Sequence, residues 1–198
     1  MHSYLTISAF SEGIYKDKGS KFFSFVHPVR NVDEVKEIVK DYRKKYYDAR
    51  HVCYAYVLGC DRTEFRANDD GEPSGTAGKP ILGQLNSRNL TDVLVVVIRY
   101  FGGILLGTSG LIHAYREATI DALANAEVVE KQIYCIYDLK FEYPAMNQVM
   151  RFVKEENATI LSNRYETDCF MCLSVPKVNS ERFFTKIKGT EQIQITLQ

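Results

Sequence analysis

Apolar positions along the chain change period several times, and each change predicts an element. Several β-rich segments lie between residues 4 and 30, the clearest being Phe22-Phe23-Ser24-Phe25-Val26. They break at Lys16-Asp17-Lys18-Gly19-Ser20, a turn sequence. Val32, Val35, Ile38, Val39, Tyr42 and Tyr46 then recur at helical spacing, with Asn31 placed to cap a helix over 32–46. Residues 50–59 read as a long strand, and a polar excursion from Asp61 to Asp70 follows. Residues 79–85 predict a short helix with Pro80 in its first turn. Residues 91–100, with an apolar run from Val93 to Ile98, predict a buried central strand. A helix over about 108–125 places Leu111, Tyr115, Ala118 and Ala122 along one side.

The pattern restarts between Glu127 and Ile133, which predicts domains at 1–130 and 131–198. The second reads as strand 133–142, helix 144–156, strands 158–165 and 169–175, helix 178–187 and strand 192–197. That β-α-β-β-α-β order is the ferredoxin-like arrangement. The first domain alternates strands with helices that cover a sheet, so the fold class expected for the chain is α+β.

Residues 69–80 and 99–111 hold seven of the twelve glycines. Glycine allows positive φ and close backbone approach, so both segments read as shaped loops that form the functional surface. Asp69, Asp70 and Glu72 fall within four residues. The alternating ligands and later glutamate of a calcium loop are missing, so Asx-type turn bonds compete with carboxylate chemistry. Thr76-Ala77-Gly78-Lys79 resembles half an anion cradle, but proline follows the lysine where a nucleotide-triphosphate loop needs Ser or Thr. Gly102, Gly103, Gly107 and Gly110 lack dinucleotide-fingerprint spacing, although a strand, turn and helix here offer backbone N–H groups near Thr108. Arg99 either holds a phosphate or pairs with Asp70 or Glu72. Ser74, Ser109, His51 and His113 are ingredients of a nucleophilic triad without its GxSxG elbow.

Charge narrows the choice. The 25 basic and 25 acidic side chains cancel, and each half is balanced (16 against 17 in 1–130, 9 against 8 in 131–198). Nucleic acid would therefore need a local basic patch. Lys36, Lys40 and Lys44 form one row on the first predicted helix, as either a solvated face or a phosphate-contacting stripe. The N-terminus lacks signal-peptide character, and the longest apolar run is far short of a membrane span. Five irregularly spaced cysteines suggest reduced thiols and a cytoplasmic protein. Cys169 and Cys172 form CxxC on a predicted strand, where residues three apart face opposite sides and share no metal.

The two glycine segments resemble the YigZ/IMPACT family. The matching residues are Asp69-Asp70-Gly71-Glu72-Pro73, Gly75-Thr76-Ala77-Gly78 with Pro80, and Arg99-Tyr100-Phe101-Gly102-Gly103 with Leu106-Gly107, Gly110-Leu111 and Ala114-Tyr115. Lys18, Ser20-Lys21-Phe22, Ala49, His51 and Cys53-Tyr54-Ala55 also fall on family positions. The resemblance implies a first domain similar to the second domain of ribosomal protein S-five and to the fourth domain of elongation factor G. It implies a second domain similar to that factor's fifth. In eukaryotic relatives, IMPACT opposes activation of a translation-control kinase by competing for its ribosome-associated activator. That kinase partner does not transfer to a two-domain chain.

The leading expectation is a non-enzymatic, translation-linked regulator that binds ribosomal RNA or a ribosome-associated protein, without cofactor or metal. Its candidate contacts are Lys18, Lys21, Lys36, Lys40, His51, Asp69, Asp70, Glu72, Thr76, Lys79, Arg99 and Thr108. Arg99, Lys79 and the backbone near Thr76 and Thr108 would meet phosphates or acidic side chains, while the three carboxylates shape the loop. The alternative is an enzyme acting on a nucleotide or phosphorylated small molecule, built on the carboxylates with Arg99, Lys79 and Thr108. A protein-binding adaptor without RNA contact fits the neutral charge equally well.

Overall fold

Residues 1–198 are described by a computed structural model. The first elements are β1 (Ser3–Ile7), β2 (Ser11–Asp17), β3 (Ser20–Pro28), α1 (Val32–Lys45), β4 (His51–Leu58) and β5 (Glu64–Asn68). They are followed by α2 (Gly78–Ser87), β6 (Val93–Tyr100), α3 (Gly107–Ala124) and β7 (Val128–Gln132). The rest comprises β8 (Tyr134–Phe141), a 3-10 turn (Tyr143–Ala145), α4 (Met146–Glu155), β9 (Thr159–Tyr165), β10 (Cys169–Pro176), α5 (Lys177–Lys188) and β11 (Ile193–Leu197). The chain divides into two units, Tyr4–Lys131 and Gln132–Gln198, the second also taking in Met1–Ser3. The fold is mixed α+β.

In the first unit a five-stranded sheet runs β2-β3-β6-β4-β5, every neighbour antiparallel. Its central strand is apolar because both its faces are covered. Val93, Val95 and Val97 pack against Ile81 and Leu85 of α2 and Ala114, Tyr115 and Ala118 of α3. Leu94, Val96 and Ile98 pack against Val35 and Val39 of α1. Strand alternation thus sends alternate residues into two separate cores. Helix α1 begins where expected, with Asn31 Oδ1 accepting the Glu34 N–H at 2.9 Å.

Two segments differ from the sequence reading. The polar excursion contains edge strand β5, paired with β4 from Leu58↔Glu64 to Tyr54↔Asn68. The segment around Glu127–Ile133 is itself largely strand, since β7 pairs with β1 in a separate two-stranded sheet. In the second unit the β-α-β-β-α-β order is the one found, with the sheet running β11-β8-β10-β9 and all pairs antiparallel. Val149, Phe152, Phe183 and Ile187 from α4 and α5 close its core over Leu139, Met171 and Leu173. Cys169 is buried and Cys172 lies on the opposite face of β10. All five cysteines are free, and no helix is long and apolar enough to cross a membrane.

The β2–β3 hairpin turns through Lys18 (φ 45) and Gly19 (φ 79). Its tip packs on the turn after β6, where Gly102 N donates to Ser20 Oγ at 3.1 Å. A Cβ on Gly102 would lie 1.9 Å from the Gly19 carbonyl carbon. Gly102→Ala should therefore cost at least about 2 kcal/mol through displaced backbone, read as a lowered denaturant midpoint. A midpoint within error of the parent would show that hairpin and turn move apart freely.

Candidate functional site

The carboxylates of the loop after β5 are satisfied from within the fold, each by a different group. Asn68 Oδ1 accepts the Asp70 N–H at 2.9 Å, and the chain reverses through Asp70 (φ 43) and Gly71 (φ 85). Asp-Gly favours this turn because aspartate tolerates the left-handed region and glycine meets no penalty there. Asp69 Oδ1 accepts the N–H groups of Ala77 and Gly78 at 3.0 and 2.8 Å, while its Oδ2 accepts that of Gly75 at 2.8 Å. Asp69 is thus the N-terminal acceptor of α2, supplied from eight and nine residues upstream. Burial alone would raise its pKa, but the backbone donors and nearby Lys79 together hold it below the ordinary aspartate value.

Glu72 points inward. Its Oε1 lies 2.6 Å from Arg99 Nη1 and accepts the Tyr115 hydroxyl at 2.9 Å. The Arg99 and Glu72 side chains are 8% and 3% exposed, so this is a buried ion pair. The guanidinium carbon sits 5.7 Å from the rings of both Phe22 and Phe101. Cys53 Sγ lies 3.3 Å from the Tyr115 oxygen and 3.0 Å from the Asp69 carbonyl. Burial pushes the Cys53 thiol and the Tyr115 phenol well above their ordinary values, so both stay protonated at neutral pH. His51, in register with Arg99 across β4 and β6, places Nδ1 2.9 Å from the Asp70 carbonyl. A carbonyl only accepts, so Nδ1 carries the proton and Nε2 faces Glu72 Oε1 at 4.0 Å. Asp70 bonds outward, to the Val52 N–H at 2.7 Å and to Arg43 at 2.5 Å.

The structure therefore joins His51, Asp69, Asp70, Glu72 and Arg99 in one network, leaves Thr76 beside it, bonded to Pro73, and adds two members that sequence reasoning gave no role in the site, Cys53 and Tyr115. Both stood in the family-like motifs, and Tyr115 also on the apolar side of the predicted helix. Of the alternatives open to Arg99, the internal pair with Glu72 is the one found: the guanidinium is enclosed rather than presented to a phosphate, and its partner is not Asp70. Another expectation is corrected. The half-cradle around Thr76 already holds an anion, the Asp69 carboxylate, while the Thr76 hydroxyl donates to the Pro73 carbonyl at 2.7 Å. Ser74 and Ser109 are exposed and are not among the hydrogen-bond partners of His51 or His113. Lys79, with its chain beside Gly75, and Thr108, in the first turn of α3, are also exposed. Lys18 and Lys21 project at the hairpin tip. Lys36 and Lys40 lie apart from the network, on the α1 face of the sheet, and Lys36 pairs with Asp33 at 2.9 Å.

On that face, Val32, Val35, Val39, Tyr54 and Tyr56 floor a groove of about 280 Å³ rimmed by Lys36, Lys40, Arg43 and Arg66. Strand β5, unread in the sequence, contributes Arg66. Fold and network together define a class: a two-unit α+β protein whose glycine loops close around a buried acid–arginine pair. The Impact N-terminal domain profile matches residues 18–123, which include both loops. The chain belongs to the IMPACT family. It is 32% identical to the IMPACT family member YigZ of Escherichia coli over 94% of this chain and 93% of that one. It is 36% identical to the IMPACT family member YvyE of Bacillus subtilis, covering 83% and 76%. A crystal structure described as that of a hypothetical protein superposes with a TM-score of 0.75 at 31% identity, over 98% and 97% of the two chains.

Two outcomes are expected. Arg99→Met strands a buried carboxylate and should lower stability by about 3–5 kcal/mol, with Glu72→Gln in the same chain restoring a large part. Single losses that simply add in the double variant would show that the two residues do not interact. The Asp69 carboxylate binds protons less readily folded than unfolded. Its stabilisation is therefore complete above the ordinary aspartate pKa and is lost as pH falls through the lower folded value. Asp69→Asn should remove that acid-side dependence and cost about 1–3 kcal/mol at neutral pH, seen in urea melts across pH.

Proposed function

We propose that this protein is a non-enzymatic, translation-linked regulator of the cytoplasm that binds ribosomal RNA or a ribosome-associated protein. The observation that carries the reading is the groove beside α1, where four cations rim a floor of apolar and tyrosine side chains. Its rim contains Lys36 and Lys40, two of the sequence-derived contacts. The Lys36–Asp33 pair is 70% and 86% exposed, so a phosphate exchanges with Asp33 at little cost. Around the glycine loops, by contrast, Asp69, Glu72, Arg99, His51 and Cys53 are each other's partners. The carboxylates and Arg99, on which a phosphate-processing enzyme would draw, are already committed, and only Lys79 and Thr108 of that set stay open.

Family membership supports the same reading. In this proposal the first unit is similar to the second domain of ribosomal protein S-five. The second unit, ferredoxin-like in its strand order, is similar to the fifth domain of elongation factor G. Lys18, Lys21, Lys79 and Thr108 are exposed and remain available as secondary contacts. His51, Asp69, Asp70, Glu72, Thr76 and Arg99 act indirectly, by holding the loop surface in shape.

The test is co-sedimentation of the full chain with ribosomes and isolated subunits across a salt series. Stoichiometric binding that weakens with salt is expected. Lys36→Glu with Lys40→Glu should weaken it and flatten the salt slope by about 1–2. Absence of binding at low salt would remove ribosomal RNA as the direct target, and an unmoved slope would make that row of lysines a solvated face.

A further inference from the structure

The opposite side of α1 carries a second surface, made where the β2–β3 hairpin extends beyond the helix. Across β2, β3 and β6 the register sets Lys16, Lys21 and Tyr100 in one row, and Ile14, Phe23 and Ile98 in the next. Phe25, one row further, is 6% exposed, packed on Tyr42 and Tyr46 of the α1 end. The helix does not cover the outer rows to the same extent. Ile14 is 42% exposed, and Phe23, Tyr46 and Tyr100 are partly exposed. The Phe23 and Tyr100 rings meet edge to face at 6.1 Å, and Lys45 Nζ stands 5.4 Å over the Tyr46 ring.

The charges on this face are unusual. Lys16 and Lys21 are direct cross-strand partners. Like charges directly opposite each other destabilise a sheet. Neither lysine takes part in any of the chain's ion pairs. The neighbouring carboxylates are otherwise placed: Asp48 accepts the Tyr100 hydroxyl at 2.7 Å, Asp41 sits 3.7 Å from Lys44, and Glu12 lies in the Phe25 row. Partly open rings beside unneutralised lysines call for a partner with flat π faces and a negative backbone. Single-stranded RNA has both, whereas a duplex stacks its bases inside and presents mainly its backbone.

We propose that this face is a stacking platform for single-stranded RNA, with bases on Phe23, Tyr46 and Tyr100 and phosphates at Lys16, Lys21 and Lys45. The inference rests on the RNA reading above and assigns that contact to a different surface from the Lys36–Lys40 groove. It also accounts for the retained repulsion between Lys16 and Lys21, which a bound phosphate relieves.

The experiment is fluorescence anisotropy of the full chain with a labelled oligouridine of roughly a dozen nucleotides and with a duplex of equal length, over a salt series. The single strand should bind more tightly. Phe23→Leu and Tyr100→Leu keep apolar bulk but lose the aromatic face, and each should weaken single-strand binding about tenfold. Lys16→Ser and Lys21→Ser should each flatten the salt slope by about 0.7. Each should also raise the melting temperature, a change that a purely structural lysine would not give. Undiminished oligouridine binding in the two leucine variants, with melting unchanged, would overturn the platform and leave RNA binding intact elsewhere. Absence of RNA binding in the parent chain, together with failure to co-sediment with ribosomes, would overturn the RNA reading itself. Ribosome binding that the leucine variants lose, without any affinity for free RNA, would overturn the platform in favour of a protein partner.

Discussion

The buried contact between Glu72 and Arg99 holds the glycine-rich region together. One partner comes from a loop and the other from the end of the central strand, so the loop is secured to the sheet by a charge pair with little access to water. Such a pair contributes modestly when complete and is very costly to break on one side. Tyr115 from α3 donates to the same carboxylate and Cys53 from β4 reaches Tyr115 in turn, so β6, α3 and β4 are linked through one carboxylate. The loops read as shaped because this network, together with Asp69, leaves their backbone few alternatives.

Much of the fold was legible because it rests on local pattern. The helical spacing from Val32 to Tyr46 and the cap at Asn31 required no tertiary information, and the run from Val93 to Ile98 announced a strand covered on both faces. The second unit was readable for the same reason. Strand β5 was not, since Glu64-Phe65-Arg66-Ala67-Asn68 leaves Phe65 60% exposed on an edge and reads as loop. The site was legible in kind: acids and Arg99 belonged together. The choice of Glu72 over Asp70 depended on which carboxylate points inward after the turn, and that is set by φ at Asp70 and Gly71. Asp69 as the acceptor for α2 was hidden because caps are sought at the neighbouring residue, here Ala77, which has no acceptor side chain.

Neutral overall charge concealed a local arrangement. Along α1, acidic residues open the helix and Arg43, Lys44 and Lys45 close it, as the helix dipole favours. The sheet beneath is wider than the helix, so cations flank two separate strips of tyrosine and phenylalanine. Composition averages this away. Only the strand register, which puts Arg66 opposite Tyr56 and Lys16 opposite Lys21, shows that basic and aromatic side chains share a face.

The way α2 obtains its N-terminal acceptor bears on the order of folding. A helix capped by the residue before it can begin as a local event, whereas α2 waits for a side chain carried on the far side of a turn. Nucleation of a short helix is unfavourable by itself. Its first turn therefore has this acceptor only where β5 is paired and the Asp70–Gly71 reversal is in place. The closure of Ile81 and Leu85 over the sheet is thereby coupled to a turn that lies outside the helix.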